Sequence, residues 1–177
     1  MPRVPQDPQA GLEKRALTLA VLLTRRSHLK ILSPVIDASL VRGHRTVVVC
    51  TPQAAKRGDR LDAREVERLW PAARVERALS WWQYDALIGL VTSLPVAPGL
   101  RMVGVDHFYD CWLQPPRPDV TMCYHSDYHA QEHDKLWPGF LRFRPPVVGW
   151  LPGDQAHAML DAPKRERAVF FTLKLDV

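Results

Sequence analysis

The sequence predicts an α/β domain built on an open, mostly parallel sheet with helices on both faces. Residues 16–24 form a nearly unbroken apolar run, ALTLAVLLT, that ends in a polar loop, the pattern of a strand buried on both faces. Leu29, Leu32, Ile36 and Leu40 then recur at helical spacing with Val35 beside them, while Lys30, Ser33 and Asp37 share the opposite side. A second apolar strand, RTVVVC, follows at 45–50. The roughly 20 residues between the two strands leave room for the right-handed crossover that makes them parallel neighbours.

Taken in order, residues 1–15 are polar and proline-bearing and read as a flexible tail. The apolar run behind them is too short for a membrane span and lacks a cleavage-site pattern. Ser27 reads as the N-cap of the first helix, Gly43 as its left-handed end, and Pro34 as a kink or a late start. The polar stretch after Cys50 contains Arg57-Gly58-Asp59, an adhesion tripeptide in other settings and a chance occurrence here. Residues 62–70 make a short helix, and RVERAL is either a brief strand or the end of that helix. Tyr84–Leu90, 100–107 and 119–126 read as further strands separated by proline-rich turns, and SDYHAQEHDKLW as a helix capped by Ser126. PPVVGW at 145–150 closes a domain spanning 16–150. Residues 151–167 read as a linker, and 168–177, with its strand at Ala168–Thr172, as the start of a second domain that continues beyond this sequence.

Composition narrows the function classes. A chain of 177 residues with 46% hydrophobic and 24% charged side chains has the balance of a globular domain, not of a disordered segment. Its net charge of +5 suits an anionic ligand, nucleic acid or an acidic lipid surface. The basic residues are scattered, without a basic run or an aromatic-interleaved motif, which argues against nucleic acid. A peripheral membrane contact through surface Trp and Arg stays open. Three cysteines, Cys50, Cys111 and Cys123, include no C-x-x-C pair and fit reduced thiols in a cytoplasm.

Open parallel sheets bind ligands at the carboxyl ends of their strands. The loop Arg25-Arg26-Ser27-His28 lies there, and Arg25, Arg26 and Ser27 at a helix start suit an anion or a polar acceptor group. His28 and Asp106 each follow a strand, so a neutral imidazole backed by a carboxylate is one candidate for proton abstraction from a hydroxyl. His125, His129 and His133 share a helical face at zinc-ligand spacing, yet the glutamate of metalloprotease motifs is missing, and a partly exposed helix face explains them as well. No G-x-G-x-x-G, P-loop or G-x-S-x-G occurs, which counts against a dinucleotide site, a nucleotide triphosphatase and a serine hydrolase.

Strand, histidine loop and helix, followed by R-G-H-R-T-V-V-V at 42–49, resemble the amino-terminal domain of GT-B glycosyltransferases, a Rossmann-like unit. Y-D-A-L-I-G-L resembles the strand by which that domain reaches its cleft, and P-P-V-V-G-W with R-A-V-F-F-T resembles the passage into the second domain. The resemblance implies transfer of a sugar from a nucleotide-sugar co-substrate to an acceptor hydroxyl, with no other cofactor. It places His28 as base and Asp106 as its partner. Ser27 stands where a glycine often precedes that histidine, and Pro34 comes later than the family's proline. The donor-binding half lies outside this sequence, so the expectation is an inactive acceptor-side portion. A nucleotide-sugar epimerase of the same layout and a non-catalytic binding module with metal on the 125–133 face are the rival readings.

Overall fold

The structure is a computed structural model that describes residues 15–51, 59–106 and 115–139. Six strands form one sheet: β1 (Thr18–Leu23), β2 (Arg45–Cys50), β3 (Arg74–Glu76), β4 (Ala86–Leu90), β5 (Met102–Val105) and β6 (Val120–Cys123). Their order is β3-β2-β1-β4-β5-β6 and every pair is parallel. The α/β expectation is therefore met by a Rossmann-like open sheet. RVERAL resolves to strand β3. The expected strand at 145–150, the linker 151–167, the strand at Ala168–Thr172 and most of the amino-terminal tail lie outside the described residues.

The strand order has a physical consequence. From β1 the chain moves outward to β2 and β3, whereas from β4 it moves the other way to β5 and β6. Right-handed crossovers running in opposite directions fall on opposite faces of the sheet. Helices α1 (Leu29–Val41) and α2 (Ala63–Leu69) accordingly share one face, where Leu32, Ile36 and Val66 pack on Val21, Leu23 and Val48. On the other face Ala130 of α3 (Asp127–Leu136) joins Leu22, Val49, Leu87 and Met122, together with Tyr84, Val91 and Leu94 from turns. Between β1 and β4 the direction of winding reverses, and the carboxyl ends of those two strands form the switch point at which open α/β sheets take their ligands.

The helix ends follow from their residues. At the end of α1 the His44 N–H reaches Ser39 O and the Gly43 N–H reaches Leu40 O, a Schellman closure with Gly43 at φ 74°. Pro34 sits inside α1 without ending it, and the Ser33 hydroxyl donates to Leu29 O one residue ahead of it. The Asp62 carboxylate accepts from Arg64 N at the start of α2, and Ser126 accepts from His129 N at the start of α3, as expected of Ser126. Ser27 departs from expectation. Arg26–His28 form a single 3-10 turn ahead of α1, and the Ser27 hydroxyl caps nothing in the helix because Asp59 takes it.

Two glycines shape the second face. Gly89 and Gly104 are register partners in β4 and β5. A Cβ on Gly104 meets Val91 Cγ2 at 2.7 Å and Val120 Cγ1 at 2.8 Å. One on Gly89 meets Leu94 Cδ2 at 3.0 Å. The missing side chains let the turn Val91–Ser93 and Leu94 lie directly on the sheet, where a longer crossover would carry a helix. Arg117 holds this segment down by donating to Leu94 O at 2.8 Å and Pro95 O at 2.7 Å.

Candidate functional site

The switch point between β1 and β4 gathers polar groups from three segments. Thr24 follows β1 and, by alternation with Ala20 and Leu22, belongs to the turn-covered face. Its side chain is 2% exposed. Ser93 ends the turn after β4, and its hydroxyl lies 3.5 Å from Thr24 Oγ1. His28, 5% exposed, comes from the 3-10 turn after β1 and brings its Nδ1 to 3.4 Å from both Thr24 N and Thr24 Oγ1. Sequence reasoning placed His28 at this edge because it follows the first strand. It had no signal for Thr24 or Ser93, since no motif marks them and only the strand order makes them neighbours.

Asp106 also lies at the carboxyl edge, after β5, and is 2% exposed. Among the described residues its Oδ1 has no hydrogen-bond partner and no hydrogen bond joins it to His28. β4 stands between their two strands, so the strand ends are separated by about 10 Å. The expected imidazole–carboxylate pair is thus not closed in this structure. The Asp106 N–H donates to Cys123 O at 2.9 Å, which fixes the backbone of the carboxylate against β6.

Arg25, Arg26 and Ser27 are exposed at the start of the 3-10 turn, and the anion they meet is the chain's own. Ser27 N donates to Asp59 Oδ1 at 2.7 Å and Ser27 Oγ to Asp59 Oδ2 at 3.0 Å, while Arg26 N reaches Asp59 O at 3.0 Å. These donors, the Ser27 N–H first among them, hold the Asp59 carboxyl below its ordinary value of 3.8, and the Arg25 charge adds to the effect. The Arg26 guanidinium pairs with Glu65 at 2.8 Å. Asp59 was legible only as part of a tripeptide set aside as chance.

Of the three histidines expected to share one helical face, only His129 and His133 lie on α3, while His125 precedes the Ser126 cap. His133 is buried with its Nδ1 against the Tyr124 hydroxyl, and His129 Nδ1 lies 2.8 Å from Ser126 Oγ. His125 and His129 meet edge to face with centroids 5.7 Å apart, and His125 Nε2 is buried without a partner among the described residues. Among those residues no group of three or more His, Cys, Asp or Glu is placed to hold a metal ion. Of the cysteines, the two among the described residues, Cys50 and Cys123, are buried thiols. Burial, with the Glu67 charge adding to it, pushes the Cys50 thiol from 9.0 up to about 11, and burial raises Cys123 as well.

A cleft of about 310 Å³ lies at the opposite, amino end of the sheet, lined by Leu19, Pro34, Val35, Ala38 and His44 among others. None of Thr24, His28 and Ser93 lines it. No helix among the described residues is long and apolar enough to cross a membrane. No protein-family model, curated protein or solved structure matches this chain.

Proposed function

We propose that the chain is the acceptor-side portion of a sugar transferase, in which neutral His28 takes the proton of an acceptor hydroxyl as it attacks a nucleotide-activated sugar. The observation that carries the reading is a buried imidazole at the point where the sheet reverses its winding, the position at which open α/β sheets take their ligands. The start of α1 supports it from another direction. In dinucleotide enzymes that turn receives the pyrophosphate, and here the Asp59 carboxylate fills it, which repels a phosphate. Asp106 then serves as a hydrogen-bond acceptor for a substrate hydroxyl, because its Oδ1 is buried and unmet by the described residues.

The test is nucleotide release from a panel of nucleotide-sugars with added sugar and lipid acceptors, using the full-length protein. His28→Ala lowers turnover by about 100-fold or more if the imidazole is the base. Turnover unchanged by that substitution removes the assignment, and product that retains the nucleotide moves the reading to an epimerase.

A further inference from the structure

We propose that the amino edge of the sheet docks on the surface of an anionic lipid bilayer, with Trp81 and Trp82 as apolar anchors and Arg42, Arg45 and Arg101 as charged ones. The proposal stands apart from the sugar-transfer reading. Single apolar side chains on a surface are ordinary, and what calls for explanation is their gathering on one edge. In parallel βαβ units the crossover helix runs back against its strands, so helix ends and strand starts come to the same side of the sheet. Val41 closes α1 and Leu69 closes α2, while Trp81 and Trp82 stand just ahead of β4. Val96 joins them, because Arg117, shortly ahead of β6, binds the neighbouring Pro95 carbonyl. These are five of the eight large apolar side chains exposed among the described residues, and the other three, Tyr128, Leu136 and Trp137, belong to α3 and its end. Val41 is 86% exposed and Trp82 83%.

Charge divides the same way. Arg42 follows α1, Arg45 opens β2 and Arg101 stands directly ahead of β5, all three exposed and none in an ion pair among the described residues. The carboxylates of that edge are engaged, since Asp85 accepts from Thr18 N at 2.7 Å and Asp119 pairs with Arg117 at 2.5 Å. Asp59, Asp62, Glu65 and Asp106 lie at the carboxyl edge instead. The amino edge thus sets guanidinium groups beside indole rings, and that combination suits the headgroup level of a bilayer, where rings sit at the interface and arginines meet lipid phosphates. Aliphatic Val41, Leu69 and Val96 would gain nothing from the phosphates of a nucleic acid. The cleft of about 310 Å³ lies at this edge too, with apolar walls from Leu19, Val35 and Ala38 and with Arg42 and His44 in its lining. An acyl chain beneath a headgroup phosphate matches that lining. Docking there turns the carboxyl edge, and His28 with it, away from the bilayer.

The experiment is flotation of the full chain with vesicles of phosphatidylcholine alone and with vesicles of two parts phosphatidylcholine to one part phosphatidylglycerol. Binding is expected only to the second kind, and it weakens as salt is raised. Arg42→Glu combined with Arg101→Glu is expected to lower binding by about 25-fold or more, from about fivefold for each arginine lost. Arg60→Glu combined with Arg64→Glu changes the net charge equally at exposed positions of the carboxyl edge and leaves binding nearly as in the wild type. Bromine on the lipid acyl chains is expected to quench the tryptophan fluorescence of the wild type, and Trp81→Phe with Trp82→Phe loses most of that quenching. No binding to the anionic vesicles overturns the proposal, and so do an equal loss from both arginine pairs and quenching unchanged by the two phenylalanines. Self-association that Trp82→Ser abolishes, without vesicle binding, assigns the face to a second copy and overturns it as well. If the tryptophan variants do not fold, the two arginine pairs decide alone. His28→Ala binds vesicles as the wild type does, so loss of turnover and loss of docking are read separately.

Discussion

One face of the sheet lies under α1 and α2, whose apolar side chains interdigitate with β1 and β2, while the other lies under turns, a crossover segment and α3 at its edge. The first face is filled by side chains at helical spacing, the second by removing side chains so that backbone can approach. On the helical face every large residue of the central contact, Val21, Leu23, Leu32 and Ile36, is fully buried. On the turn-covered face Thr24 and Ser93 at the switch point, and Asp106 one strand further on after β5, stand at the end of the same surface that Gly89 and Gly104 flatten. Regular packing fills the one face, and irregular packing brings Thr24 and Ser93 together at the end of the other.

Core truncation and core insertion separate the two modes. Leu32→Ala on the helical face leaves a cavity under α1 and is expected to cost about 2–5 kcal/mol in urea unfolding. Gly104→Ala inserts a methyl against two stiff valines and is expected to cost about 1–3 kcal/mol by the same measurement. A loss below about 0.5 kcal/mol for Gly104→Ala would show that the turn is not pressed onto the sheet. Arg117→Ala removes two hydrogen bonds to the Leu94 and Pro95 carbonyls, and the expected loss is about 1 kcal/mol, with faster amide exchange in residues 91–97 than in α1. Equal protection of the two segments would put the clamp elsewhere.

The smallest expected effect is a pH dependence on the helical side. The Asp59 carboxyl titrates below 3.8 in the folded protein because it accepts from Ser27, so its contribution is present above the unfolded value. It is lost as pH falls through the folded value. Thermal unfolding of the wild type should therefore decline more steeply than that of Asp59→Asn as pH falls below about 4, and parallel curves would deny the carboxylate that role.

The same contrast explains what the sequence made legible. The strands were readable because buried parallel strands are continuous apolar runs, and α1 because Leu32 and Ile36 keep the helical period. Gly43 and Ser126 announced themselves through local backbone chemistry. Ser27 misled because an N-cap is a local reading, and a carboxylate 32 residues away competes for the same hydroxyl. His28 was found from its place after a strand, but its neighbours were not, because Thr24 and Ser93 meet only once β1 and β4 are known to be adjacent. The Gly89–Gly104 pairing is likewise a fact of register, invisible to a one-dimensional pattern.

The carboxylate that fills the start of α1 is also a standing competitor. Asp59 belongs to the same chain as the donors it occupies, so its effective concentration at Ser27 is on the order of millimolar. A free phosphate or carboxylate gains that corner only by displacing a ligand that never diffuses away. Any partner that displaces it must satisfy the Ser27 N–H and hydroxyl, the two donors next in sequence to His28.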